Sequence, residues 1–265
     1  MSAFGICGIS GRMGHALVTA LEGRSLAIGA AFDAPDSPMA GKDPGTEITG
    51  TPSGTTVGVI SDEGCAACDA VIDFSAPVAT MALLDSACRT KTPLVIATTG
   101  FTDTEEARIV EASSVIPIVK STNMSLGVNL MYKLIELAAG ALPSGYDVEV
   151  FEAHHRYKKD SPSGTAKTMI QTVQKARKHL QHLEESYRGS GMTGPRSESE
   201  IGVQVLRGGG IVGEHTVYFV SDNDRIEITH RAGNRTILAD GAVQAALFAA
   251  DASPGMYTMF DVLDI

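Results

Sequence analysis

The chain has 265 residues and a net charge of −10, with 43% hydrophobic residues, 5% aromatics and no Trp. That length suits one large or two modest domains, with an interior of Ala, Val, Ile, Leu and Met, as in helices layered on a sheet. The acidic balance excludes a general nucleic-acid surface or attraction to an anionic membrane, so an anionic ligand needs a local basic site.

In chain order, an apolar run at 3–9 is followed by Gly11-Arg12-Met13-Gly14, a helical pattern at 16–22 and a second apolar run at 26–32. Residues 34–56, rich in Pro, Gly, Ser and Thr, read as a surface loop. Strands are then expected at 70–74, 94–98 and 115–119, with helices at 77–89 and 103–114 between them. Strands alternating with helices predict a parallel sheet with right-handed crossovers. After Asn123 the pattern changes to a long helix over 125–142, a strand over 147–153, a polar loop and a helix from about 165 to 187. The segments 201–207, 212–220 and 225–231 predict a mainly antiparallel sheet, and a last apolar helix at 238–250 could return to the first domain.

No apolar stretch approaches the roughly 20 residues of a membrane helix. Met1-Ser2-Ala3-Phe4 also lacks the basic and apolar regions of a secretory signal, which predicts a cytoplasmic protein with no membrane partner. Cys7, Cys65, Cys68 and Cys88 are then expected as reduced thiols. Cys65-Ala-Ala-Cys68 has the spacing of half a zinc site but no second Cys or His pair nearby, so no metal is expected.

Two segments carry chemistry. Gly8-Ile9-Ser10-Gly11-Arg12-Met13-Gly14 joins the first strand to the first helix, where glycines allow backbone N–H groups to approach a pyrophosphate. Its spacing, G-x-x-G-x-x-G, is weaker evidence than G-x-G-x-x-G, but Asp33 at the end of the second strand can accept hydrogen bonds from ribose hydroxyls. Asp33 followed by Ala34 disfavours the 2′-phosphate of NADP, although Lys42 could reach it, so NADH preference or dual use is expected. Ala97-Thr98-Thr99 and Ser121-Thr122-Asn123-Met124 follow later strands on the same rim, where helix capping is the plainer alternative.

The second segment is His154-His155-Arg156-Tyr157-Lys158-Lys159, a basic cluster in an acidic chain, running into Asp160-Ser161-Pro162-Ser163-Gly164-Thr165. The second half reads as a loop into a helix, whose free N–H groups at Ser163, Gly164 and Thr165 suit a carboxylate. A reductase of a C=C or C=N bond also needs a proton source, for which His154 and Lys158 are candidates. A solvated charged loop, another dehydrogenase acting on an imine or semialdehyde, and a nucleotide-binding regulator without catalysis remain alternatives at this level.

Over nearly its whole length the chain resembles the dihydrodipicolinate (4-hydroxy-tetrahydrodipicolinate) reductase family of the diaminopimelate route to lysine. The likeness rests on Gly11 to Gly14, Asn123-Met124-Ser125, Glu152-Ala-His-His through Thr165, Val212-Gly-Glu-His215, Glu227-Ile-Thr-His230 and Asp261-Val-Leu-Asp264. The resemblance implies an α/β fold: a Rossmann-like doubly wound parallel sheet from residues 1–122 and 236–265. A second α+β domain, 123–235, would bind substrate and assemble a homotetramer. It implies hydride transfer from NADH or NADPH to C4 of a small cyclic dicarboxylate, then protonation at C3. By position, His154 would be the acid/base and Lys158 the proton donor, with His155, Gly164 and Thr165 on substrate. Gly8, Ile9, Ser10, Gly11, Arg12, Met13, Asp33, Ala97, Thr98, Thr99, Ser121, Thr122, Asn123 and Met124 would line the cofactor. Many members have Arg where this chain has Ala34, and Lys159 lies outside the motif.

Overall fold

The computed structural model describes residues 2–178 and 182–265, which form two compact units, 1–126 with 235–265 and 127–234. In the first unit, β1 (Ala3–Cys7), α1 (Arg12–Gly23) and β2 (Ala27–Phe32) lead to a short helix α2 (Pro44–Ile48) and strand β3 (Val57–Gly58). Then come α3 (Asp62–Ala66), β4 (Ala70–Asp73), α4 (Pro77–Thr90), β5 (Leu94–Ile96), α5 (Asp103–Ala112) and β6 (Pro117–Lys120). The chain leaves through α6 (Leu126–Ala141) for the second unit, made of β7 (Asp147–His154), α7 (Gly164–Arg177), β8 (Glu184–Ser186), β9 (Glu200–Arg207), β10 (Glu214–Val220) and β11 (Arg225–Arg231). It returns with α8 (Thr236–Asp251), β12 (Gly255–Tyr257) and α9 (Met259–Leu263).

All strand pairings of the first sheet are parallel, in the order β12-β6-β5-β4-β1-β2-β3. The central strands are short and apolar on both sides because both faces are covered. One core layer joins Leu17, Val18 and Leu21 of α1 to Ala242, Val243 and Ala246 of α8; the other packs Leu83, Leu84 and Ile109 of α4 and α5 on the opposite face. Small residues let α8 lie close to its neighbours. A Cβ on Gly241 would stand 1.8 Å from the carbonyl oxygen of Met124.

The second sheet, ordered β11-β10-β7-β9-β8, is mixed. The pairings of β10 with β7 and β11 are antiparallel, but β9 runs parallel to β7 and β8 parallel to β9. The expectation of a mainly antiparallel sheet is corrected there, because strand direction depends on a partner far away in the chain. The helix expected over 165–187 is also shorter. It ends at Arg177, residues 179–181 fall outside the described residues, and Glu184–Ser186 pairs with β9 instead of continuing the helix. Arg177 is fully buried; its Nε donates to Ala139 O and its Nη1 to Tyr146 O, and its guanidinium stacks over Phe219. In the loop expected at 34–56, Asp43 caps α2 by accepting from Thr46 N, with Pro44 pre-set at the first helical position.

Candidate active site

In the first unit the glycine loop is shaped by contacts that exclude larger residues. Gly8 has φ +84°, and a Cβ there would meet the Phe74 carbonyl oxygen at 2.5 Å; one on Gly14 would meet Ile9 O at 2.4 Å. Gly11 caps α1 without a side-chain bond, and the first turn carries no acidic residue, leaving its N–H groups available to an anion. Asp33 braces the loop, accepting from Ser10 N at 2.8 Å and Ala34 N at 2.8 Å. Burial pushes the Asp33 carboxyl up, but hydrogen bonds from Ser10, Ala34 and Ser37 outweigh it and hold it below the usual range. A cavity of about 630 Å³ runs past Gly8, Ser10, Gly11, Asp33, Ala34 and Ser75. The cradle that a Cβ would fill, the bare helix start and the adjoining carboxylate together fit a dinucleotide.

The other rim residues divide. Ile9 and Met124 are buried in the core; Arg12 and Thr122 are exposed, and Met13 is half-buried. Thr98 is buried and donates to Asp73, while Ala97 is half-buried and Thr99 exposed. Ser121 and Asn123 form a turn in which Ser121 Oγ donates to Asn123 O and accepts from Asn123 N. Asp73 was not expected as a site residue. Fully buried at the end of β4, it accepts from Ser75, Thr80 and Thr98, and so ties two rim loops together. Its sequence signal is a carboxylate ending an otherwise apolar strand, Ala70-Val71-Ile72-Asp73. Lys42 pairs with Glu47. All four cysteines are free, and burial pushes the Cys68 thiol up to about 12, which makes it inert.

In the second unit, β7 alternates, and its even-numbered residues share one face. Val148 and Val150 begin that face as apolar core; Glu152 and His154 end it. Pairing sets Arg207 of β9 beside His154, and His215 of β10 beside Glu152, with His230 of β11 beyond. The Glu152 carboxylate is fully buried. His154 Nδ1 lies 2.5 Å from Oε2, Arg207 donates to both oxygens at 2.9 and 2.8 Å, and Ser163 N donates to Oε1 at 3.0 Å. Burial raises the Glu152 carboxyl, but these partners overcome it and bring it down to about 2. Ser163 caps α7 by accepting from Ala166 N, and its Oγ is 3.2 Å from His215 Nε2. Gly164 at the helix start is exposed and Thr165 half-buried. Lys158 pairs with Asp160 at 2.9 Å, and Lys159 is exposed. The Nδ1 atoms of His155, His215 and His230 are buried without a hydrogen-bond partner among the described residues.

The structure thus gathers His154, Ser163 and the start of α7 around Glu152, and it adds Arg207, His215 and His230, none of which has a role assigned from the sequence. Ligand-type atoms of Glu152, His154 and His215 lie within 4.8 Å of one another. Both Glu152 oxygens are already engaged by Arg207, Ser163 and His154, so a cation would have to displace an arginine. The donor set is that of a hydrogen-bond network.

Burial, then the neighbouring His154, drives His215 down to about 4 from 6.5. A depressed histidine leaves stability intact above the unfolded value and erodes it as pH falls from 6.5 to 4, where the unfolded chain binds a proton that the folded chain refuses. The stability measured in urea is expected to fall across that window by up to about 3 kcal/mol from this group. The His215→Gln variant should show a flatter dependence; an unchanged slope would contradict the assignment.

The dihydrodipicolinate reductase N-terminal family model matches residues 3–124, and the C-terminal model matches 127–263. The 4-hydroxy-tetrahydrodipicolinate reductase of Syntrophotalea carbinolica is 44% identical over 259 residues, 97% of each chain, and that of Cupriavidus pinatubonensis is 44% identical over 263 residues, 98% of each. Among solved structures, a dipicolinate-bound dihydrodipicolinate reductase from Paenisporosarcina sp. TG-14 aligns with a TM-score of 0.78 at 22% identity, covering 98% of both chains. An amine dehydrogenase from Mycobacterium smegmatis shares the fold at a TM-score of 0.68 and 11% identity, covering 97% of this chain and 95% of that one. The chain belongs to the dihydrodipicolinate reductase family, NAD(P)H-dependent oxidoreductases that reduce 4-hydroxy-tetrahydrodipicolinate on the diaminopimelate route to lysine.

Proposed function

We propose that residues 1–122 and 236–265 bind the reduced cofactor, with NADH preferred, and that 123–235 bind the cyclic dicarboxylate and handle its protons. In this reading Gly8, Ile9, Ser10, Gly11, Arg12 and Met13 hold the pyrophosphate, Asp33 the adenosine ribose, and Ala97 to Thr99 and Ser121 to Met124 the nicotinamide half. Bound there, the nicotinamide supplies a hydride to C4 of the substrate ring. Ser163, Gly164 and Thr165 present the N-terminus of α7 to one carboxylate, and His155 holds the substrate from the basic loop. Lys158 gives a proton to C3 of the enamine that hydride addition leaves, and His154 serves as acid/base beside it.

The observation that carries this reading is the meeting of a buried, carboxylate-paired His154 with a helix start, capped by Ser163, whose first turn carries no acidic residue of its own. Dipicolinate, the ligand named for the Paenisporosarcina relative, is a planar ring with two carboxylates, the shape such a site suits. The chain is further read as a cytoplasmic homotetramer built on the opposite sheet face, which carries Phe151, Leu206 and Tyr218, with a solution mass four times 27.7 kDa. No helix among the described residues is long and apolar enough to cross a membrane.

The test couples aspartate semialdehyde, pyruvate and the preceding synthase to this enzyme while NADH and NADPH oxidation are followed. An ionised Asp33 with Ala34 beside it repels a 2′-phosphate and offers it no cation. kcat/KM is therefore expected to be higher with NADH, and Ala34→Arg should shift it toward NADPH. A tenfold advantage for NADPH in the unmodified enzyme overturns the preference, and no oxidation of either overturns the reading.

A further inference from the structure

We infer that Glu152, clamped by Arg207, is the positioning residue that fixes the tautomer and ring orientation of His154, leaving Nε2 as the atom that exchanges protons. This rests on the reading of His154 as acid/base and adds how its nitrogens are assigned. A buried carboxylate can only accept. Glu152 spends its lone pairs on Arg207 twice, on Ser163 N and on His154 Nδ1, so Nδ1 must carry the hydrogen in that bond. The other ring nitrogen is left as the reactive one.

The surroundings keep that nitrogen open. Gly213 lies next to it, and a Cβ at that position would come within 3.2 Å of Nε2 and 3.5 Å of Cδ2. His215 stands edge-on to the His154 ring, 5.1 Å between centroids at 74°, and limits its rotation. The clamp is held in turn: Arg207 Nη2 also donates to the Asp160 carbonyl at 2.8 Å, and His154 O accepts from Gly208 N. The ionisable groups around the imidazole are Glu152 on β7, Arg207 on β9, His215 and His230 on β10 and β11, and Lys158 with Asp160 in the loop. Among the described residues, only Glu152 bonds to the ring directly.

The test combines kinetics of Glu152→Gln with the ¹⁵N NMR signature of His154 in labelled enzyme. Expected are a loss of about 100-fold in kcat, a KM for NADH within threefold of wild type, and an Nδ1–H tautomer in wild type that becomes mixed in the variant. The double variant Glu152→Gln/His154→Gln should be no slower than His154→Gln, because the two residues act as one unit. A kcat within threefold of wild type in Glu152→Gln, or an Nε2–H tautomer in wild type, overturns the inference. If Glu152→Gln does not fold, the wild-type tautomer alone decides. Near-normal turnover in His154→Gln would instead sink the underlying assignment of the acid/base.

Discussion

Replacing His154 with Gln, or Lys158 with Met, is expected to lower kcat by about 10²–10⁴-fold, the usual contribution of a positioned acid or base. Neither residue belongs to the nucleotide-binding unit, so NADH affinity by fluorescence titration should stay within a few-fold of wild type. The two losses should differ in kind. His154→Gln removes an imidazole from a buried network and leaves Glu152 with Arg207 and Ser163 as partners, so the fold is expected to survive. Lys158→Met removes a partly exposed ammonium whose partner is Asp160; a pair of that exposure contributes at most about 1 kcal/mol, so stability should barely move while turnover collapses. Near-normal turnover in both variants would refute the assignment of the proton-handling residues.

Gly14→Ala should be the most damaging single methyl in the nucleotide-binding unit. The added carbon meets Ile9 O at 2.4 Å and Gly8 O at 2.6 Å, both backbone atoms of the loop itself, which cannot swing aside as a side chain would. Either α1 or the loop must shift, at about 1–3 kcal/mol of stability, and the loop N–H groups proposed to hold the pyrophosphate lose their alignment. NADH affinity is expected to drop by about tenfold or more, since each 1.4 kcal/mol of lost interaction is one decade. Gly23→Ala in the same helix is the control. Nothing lies within 4 Å of its added carbon, so the gain in helix propensity, up to about 1 kcal/mol, should appear as a higher melting temperature. Wild-type NADH affinity in Gly14→Ala would show that the cradle does not hold the cofactor.

The alternation of strand and helix in the first unit was legible because each parallel strand is a short apolar run and each helix buries residues at three- and four-residue spacing, as in Leu17, Val18 and Leu21. The glycine loop and the basic segment were legible because their parts are adjacent in the chain. What escaped depended on distant partners. Glu184–Ser186 is a strand because β9 lies beside it, and β9 runs parallel to β7 through a pairing that its own residues do not encode. Arg207 reaches the site through the pairing of β9 with β7, and His215 and His230 through the antiparallel β10 and β11, 53 to 76 positions beyond His154. Glu152 is the instructive exception: every-second-residue spacing in Val148, Val150, Glu152 and His154 already places it on the face of His154.

The return of the chain to its first unit bears on how the protein is made. Helix α8 covers one side of β4, β5 and β6, and β12 completes the edge beside β6. Residues 235–265 are translated only after the intervening 127–234. At ordinary elongation rates that insertion occupies the ribosome for on the order of 5–20 s. During that interval the apolar surface of Leu17, Val95 and Val119 waits without Ala242, Val243 and Ala246 to cover it. The nascent cofactor domain therefore passes through an incomplete, adhesive stage, during which a holdase has something to bind, before its own last helix closes it.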